Sequence, residues 1–441
     1  MEFHRASLPE TAAALRSGEL DLIAYITEVI RRVDATDNEV RALLPEPGRR
    51  ERLLDNAHAL LARYPDPAGR PSLFGIPVGV KDLLRVDGFE TRAGSYLPPE
   101  PLAGPEGTLV KRIREHGGII LGKTETDEFA HSEPPVTRNP RNLRHSPGGS
   151  SAGSAATSAV GLAPVSIGTQ TFRSIVGPAS FCGVMGYKPS WNTIPSDGII
   201  YMCESVDTLG FLAQDLPSIT MAAEVLAGVT PSVKTEKPVL GVPYDTRMAA
   251  LDPDAAADFD RQVAALAAAG FTIRRVPTFT GAYYAEVGRQ IGTLLPYEMA
   301  RFHGEWIDRY GPLYRSRTFA SLIHGRTVTA EQYEEAKAFQ DEHRRKIHAL
   351  MDEYGFDLWV LPGTNGPAPE NYHVTGWGEM TASWSLAGLG SLVFPAGFAG
   401  NGLPLGLQFI PRYAADADLL AWGKFIEPVF ADVLAQLQPA A

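Results

Sequence analysis

The stretch GTQTFRSIVGPAS, Gly168 to Ser180, opens as a backbone turn of the kind that holds a reactive serine, then breaks the pattern. Where small residues would let a substrate approach the backbone closely, it carries Phe172 and Arg173 just before Ser174. On its amino-terminal side lies GLAPVSIGTQ, a short apolar run bounded by Gly and Pro, which reads as a buried strand. The same texture extends outward in GIPVGVKD, GGIILGKT and CGVMGYKPS, the signature of strands covered on both faces in a mixed or parallel sheet. Helical patterns separate them, in TLVKRIREHG (Thr108 to Gly117) and SAGSAATSAVG (Ser151 to Gly161). Strands alternating with helices predict an α/β fold, with a central mixed or mostly parallel sheet surrounded by helices.

Further from the turn, the first 65 residues read as helical. Leu20, Leu22, Ile23, Ile26, Val29, Ile30 and Val33 recur at spacings of three and four and form one apolar stripe. A second helix is expected from about Arg49 to Tyr64. After a polar connection near Pro231, KPVLGVPYD predicts a strand, Asp252 to Ala269 a helix, and FTIRRV another strand. Amphipathic helices fill about Tyr283 to Tyr354, and DLWVLPGT and GSLVFPAGF return as strands. The expected organisation is one large domain: helices over 1–65 packed on the core, a first half over 66–230, and a second half over 231–441 that completes the core and carries a helical cap at about 283–354.

Composition narrows the function classes. The chain has 441 residues, 44% apolar and 21% charged, with a net charge of −11 and no long basic run. Nucleic-acid binding as the main activity is disfavoured, because phosphate neutralisation needs clustered Lys and Arg. Two cysteines, Cys182 and Cys203, provide neither a disulfide framework nor a Cys-rich metal site. No stretch reaches the ~18–20 apolar residues of a membrane span. The expectation is a cytoplasmic protein, monomeric or homodimeric, with no cofactor, no metal, no nucleic acid and no membrane.

Two other positions bear on chemistry. Lys81 ends the apolar segment GIPVGVK, so its backbone is expected to be buried, and burial lowers a lysine pKa toward the range of a working base. Asp82 follows it and, on a strand, points to the opposite face. The Gly/Ser run SPGGSSAGSAA, residues 146–156, has a structural reading, with Ser150 or Ser151 as the N-cap of the next helix. Within it, Gly149 to Gly153 also fits G-x-S-x-G, although a loop rather than a strand precedes it. His343 and His348 lie in a charged helical stretch and are assigned to a solvated face.

Taken in order, GIPVGVKD, LGKTETDEFA (Leu121 to Ala130), GGSSAGSAA, GTQTFRS, GPASFCGVMGYKPS, SVDTLGFLAQD (Ser205 to Asp215) and GLPLGLQFI (Gly402 to Ile410) resemble the amidase signature family over about residues 10–425. The resemblance implies catalysis by a lysine, a bridging serine held through a cis peptide and a nucleophilic serine, here Lys81, Ser150 and Ser174. It implies an oxyanion hole of backbone N–H groups at Thr171, Phe172 and Arg173. The chemistry stands on its own terms: a serine needs a base within hydrogen-bond reach, and a neutral lysine can serve. Keeping Lys81 neutral requires burial and the absence of nearby carboxylates.

The departures from the family pattern are Phe172 and Arg173 in place of glycines, Gly177 where an arginine is usual, and, in the segment expected to line the pocket, Ser385 and Gly390 where Asn and Pro are more common. Together they suggest a specialised substrate. Phe172 should narrow the acyl pocket. Arg173 either contacts the substrate or, the slightly favoured reading, turns away to pair with an acidic side chain. Trp377, Met380 and Trp384 could line an apolar pocket or pack in the core. The expected function is an amidohydrolase that cleaves a small linear amide through an acyl-enzyme on Ser174. The same acyl-enzyme resolved by an amine would make an acyl transferase, and loss of catalysis would leave a binding protein. An ammonia-supplying amidotransferase component is disfavoured by the acidic composition and the lack of a recognisable partner or tRNA-binding extension.

Overall fold

The computed structural model describes residues 4–376 and 378–439. Ten strands form one sheet: β1 (Pro77–Lys81), β2 (Ile119–Thr124), β3 (Val165–Gln170), β4 (Met185–Lys188), β5 (Thr208–Ala213), β6 (Leu240–Tyr244), β7 (Ile273–Pro277), β8 (Leu358–Pro362), β9 (Ser391–Phe398) and β10 (Pro404–Ile410). Their order is β2-β1-β3-β5-β4-β9-β10-β8-β6-β7. The sheet is mixed, with parallel pairs at its two flanks and antiparallel pairs from β3 to β8 across its centre. Parallel neighbours need crossovers, which the helices Thr108–Glu115 and Ala152–Ala159 provide between β1, β2 and β3. The two halves of the chain meet where β4 pairs with β9, so neither half closes the sheet alone.

Most strands are buried along their whole length, as their unbroken apolar runs require, whereas the edge strand β7 is exposed along most of its length and buries Val276. From Leu22 onward the apolar stripe of the first helical region lies on the helix Leu22–Val40, Leu20 falling just before its N-cap Asp21, and a shorter helix, Leu8–Ser17, precedes it. The shorter helix falls within the stretch expected to be helical, and a capping box of Ser7 and Glu10 fixes its start. The amphipathic stretch resolves into the helices Gly281–His303, Glu305–Tyr310, Ser316–Gly325 and Ala330–Tyr354. His343 is not on a solvated face. It is fully buried, bonded to Tyr283 and Ser383, and burial pushes its pKa down to about 4. His348 is half-buried, with its ring accepting from the Tyr413 N–H. Neighbouring Glu342, Arg345 and Lys346 lie on the exposed side of the same helix, and composition alone averages over its two faces.

Candidate active site

The turn at residues 171–174 lies between the end of β3 and the helix Val176–Cys182. Its shape is fixed from behind by Gln170. The Gln170 carboxamide oxygen accepts the N–H groups of Ile175 (2.9 Å) and Val176 (3.0 Å), and its Nε2 donates to Ser385 Oγ (3.0 Å). Ser385 in turn donates to the Phe172 carbonyl at 3.1 Å. Position 385 therefore buttresses the turn from beneath instead of lining a pocket, and Gly390 lies by Asp416 and Ser190. Among the described residues, Phe172 and Arg173 are absent from those with a positive φ. Neither bulky residue is strained there, because this backbone does not need glycine at those two positions.

The serine-rich helix is attached to the sheet by hydroxyls three and four residues apart. Ser154 Oγ donates to the Ile167 carbonyl (2.8 Å), and Ser158 Oγ to that of Leu212 (3.0 Å). Ser151 Oγ donates to the Thr169 carbonyl (3.0 Å) and accepts from the Thr169 N–H (3.2 Å). Ser151 occupies the N-cap position, but its side chain makes no capping bond because it faces β3 and Lys81. The peptide bond between Gly149 and Ser150 is cis.

Lys81 comes from the end of β1 and is 0% exposed. Its Nζ donates to Ser150 Oγ (2.6 Å), Thr169 Oγ1 (2.8 Å) and Ser151 Oγ (3.0 Å), with the Thr169 carbonyl at 3.4 Å. Burial lowers its pKa from 10.5 to about 7, opposed by the charges of Asp127 and Asp207. The expected absence of carboxylates therefore does not hold, and desolvation outweighs both of them. Asp82 faces the other way, as strand alternation requires, and is paired with buried Lys123 at 2.6 Å.

Ser150 and Ser174 are 1% and 5% exposed. Their loops are joined by the bond from the Ser151 N–H to the Ser174 carbonyl (3.1 Å), while Ser174 Oγ makes no hydrogen bond among the described residues. The N–H groups of Thr171, Phe172 and Arg173 likewise find no acceptor among those residues. Thr171 Oγ1 donates to Asp207, whose other oxygen accepts from Met202 and Cys203. These contacts tie the turn to the segment before β5.

Ser174 opens on a cavity of about 150 Å³ lined also by Asp127, Ala130, His131, Ser132, Phe172, Arg173, Met202, Leu295 and Gly378. Arg173 does not turn away to an acidic partner. It donates to the Gly376 carbonyl (2.6 Å) and to Thr375 Oγ1 while its side chain stays on the cavity. A Cβ on Gly177 would stand 4.0 Å from the Arg173 Cβ, so the two positions are spatial neighbours. Trp384 is absent from the cavity. It is buried against Trp359 (ring centroids 5.1 Å apart) with Arg247 over its ring, which makes it core. Met380 is buried, its carbonyl accepting from Gln408, and Trp377 lies outside the described residues. Sequence reasoning missed Asp127, His131, Met202 and Leu295. The signal for the first was a carboxylate inside the quoted motif TETDEFA, whereas the last two reach the cavity only through tertiary packing.

A buried lysine among serine hydroxyls, beside a strand–turn–helix that presents a further serine to a small cavity, defines the class of serine-dependent amide hydrolases. The chain belongs to the amidase family, whose model matches residues 24–420. It is similar to a glutamyl-tRNA(Gln) amidotransferase subunit from Thermus thermophilus, with 31% identity over 93% of this chain and 94% of that protein. It is 29% identical to the same kind of amidotransferase subunit from Koribacter versatilis, over 98% of this chain and all of that one. Among solved structures, a crystal structure of an amidase superposes with a TM-score of 0.88 at 29% identity, covering 96% of this chain and 100% of the other. The protein is thus an amidase-type enzyme. Among the described residues, no helix is long and apolar enough to cross a membrane, and no group of three or more His, Cys, Asp or Glu is placed to hold a metal ion.

Proposed function

We propose that the protein hydrolyses small amides through an acyl-enzyme on Ser174, with Lys81 as the base and Ser150 as the proton relay. Ser174 Oγ attacks the amide carbon, forming a C–O bond, while its proton passes to Ser150 and the Ser150 proton passes to Lys81 Nζ. The oxyanion that develops is stabilised by the unpaired N–H groups of Thr171, Phe172 and Arg173, a contribution whose loss costs about 10²–10³ per donor. Collapse breaks the C–N bond, and the proton returns from Lys81 through Ser150 to the departing nitrogen. Water then attacks the ester by the same route and releases the acid. The observation that carries this reading is the Lys81 ammonium site. It is wholly buried, bonded among the described residues only to hydroxyl and carbonyl oxygens, and lowered by that burial to about 7, so that a proton can leave and return near neutral pH. We take the protein to work in the cytoplasm on a small-molecule amide, as a monomer or homodimer.

The test is intact-mass analysis with a serine-directed covalent probe on the wild type, Ser174→Ala and Lys81→Ala, alongside measurement of ammonia released from small primary amides. Labelling and ammonia release that vanish in both variants support the reading; a folded wild type that neither labels nor releases ammonia sinks it. A second reading, favoured by the names of the curated relatives, makes the chain the ammonia-releasing subunit of an amidotransferase. Stable association with other subunits, seen by native mass spectrometry on protein isolated from its own cells, would move the assignment there. Product partitioning toward an added amine would indicate acyl transfer instead.

A further inference from the structure

The cavity beside Ser174 is lined by two ionisable side chains, Asp127 and Arg173, that the hydrolytic cycle leaves unused. Asp127 is 1% exposed, and both of its carboxylate oxygens are buried without a hydrogen-bond partner among the described residues. They lie over the side of Gly149 that bears no Cβ, where an added Cβ would stand 2.5 and 2.6 Å from them. Arg173 lies on the same cavity, with one N–H given to the Gly376 carbonyl and one to Thr375 out of the five its guanidinium carries. Each feels the charge of the other, yet no ion pair closes between them among the described residues. A buried acceptor of this kind takes its donors from water or from a bound ligand.

We propose that this site selects small substrates bearing a second amide-type group, C(=O)–NH, whose N–H is held by Asp127 and whose carbonyl oxygen is held by Arg173 while Ser174 attacks the first amide. The proposal rests on Ser174 being the acylated residue. A cationic group between the two side chains would be repelled by Arg173, whereas a neutral N–H can be accepted by Asp127, whose carboxyl is raised by burial to about 7. A neutral group with a donor at one end and an acceptor at the other satisfies both. His131, also on the cavity, is kept neutral by burial, its pKa lowered to about 4, and adds no third charge. The cavity of about 150 Å³ is well below the ~300 Å³ at which drug-sized ligands begin to fit, which confines the substrate to a few heavy atoms beyond the two amides.

The test uses three chain-matched ligands: N-acetylglycinamide, 4-oxopentanamide, in which CH₂ replaces the second N–H, and pentanamide, which lacks the second group altogether. Their dissociation constants are measured by NMR titration on the Ser174→Ala protein, so that turnover plays no part. N-acetylglycinamide should bind on the order of ten- to a hundredfold more tightly than 4-oxopentanamide, the scale of a hydrogen bond to a charged group. That ratio should fall to about one when Asp127→Leu or Asp127→Ala is added. Equal binding of the two in Ser174→Ala alone, no binding of N-acetylglycinamide, or a ratio that survives both Asp127 substitutions would overturn the proposal. Covalent labelling of wild-type Ser174 separately decides the catalytic reading, so the two can fail independently.

Discussion

Replacing Lys81 with methionine separates the two consequences of burying it. Methionine matches the length of the aliphatic stem but cannot be charged. The lysine is lowered from 10.5 to about 7 in the folded protein, chiefly by desolvation. At ~1.36 kcal/mol per pH unit, holding it there costs the folded state about 5 kcal/mol near neutral pH. Methionine escapes that cost but forfeits the bonds to Ser150, Ser151 and Thr169, each worth about 1 kcal/mol, so the variant should be about 2 kcal/mol more stable near pH 7. The sign of the pH dependence follows from proton counting. Between about 7 and 10.5 the unfolded wild type binds a proton that the folded protein does not, so wild-type stability rises with pH while the variant lacks this contribution. From about pH 7.5 to about pH 9.5 the gap should shift by roughly 3 kcal/mol in favour of the wild type. Urea denaturation of both proteins across that range measures it directly. The window lies above the pKa of about 7 to which burial raises Asp127, so that group adds little. A stability gap constant with pH would refute the claim that Lys81 is neutral in the folded state, and with it its role as base.

The same protonation governs the chemistry: the rate of Ser174 labelling should climb with pH and reach half its plateau near 7, and a half-point above about 9 would mean an ordinary lysine. Ser150→Ala should slow amide hydrolysis by about 10²–10⁴, the range of general acid–base assistance, whereas an unchanged kcat would remove it from the relay. Phe172→Gly should raise kcat/KM for longer acyl chains relative to acetamide, because Phe172 walls the cavity, at a stability cost of about 0.5–1 kcal/mol for the added backbone freedom; a substrate profile that does not move would place the ring outside the acyl path. Lys123→Met should destabilise by about 3–5 kcal/mol in thermal or urea melts, since it strands the Asp82 carboxylate 1% exposed on its side chain and unpaired, and a loss under about 1 kcal/mol would contradict that pairing.

Much of the site could be read before the structure because its motifs are local. The strands are unbroken apolar runs, the helix after Ser151 is a run of small residues, and Gly149-Ser150 and Ser174 sit where turns must be. What misled was information averaged over a face. The charged stretch around His343 hid an inner side, and Trp384, an aromatic at a pocket-like position, packs on Trp359 from a distant strand. Ser385 looked like pocket lining and instead supports the turn through Gln170 and the Phe172 carbonyl.

The sequence by itself determined the alternation of strands and helices, and hence the α/β class, because periodicity and Gly/Pro punctuation are properties of neighbouring residues. It also named Lys81, Ser150 and Ser174 as candidates through their motifs. Only the tertiary structure decided that β4 and β9 join the halves into one sheet, that Lys81 meets Ser150 across 69 positions, and that Phe172 and Arg173 sit without backbone strain. It alone placed Asp127 and Arg173 on one cavity with Leu295 from a later helix. Burial, which sets the Lys81 pKa, depends on every segment packed around the residue, and no local window contains that sum.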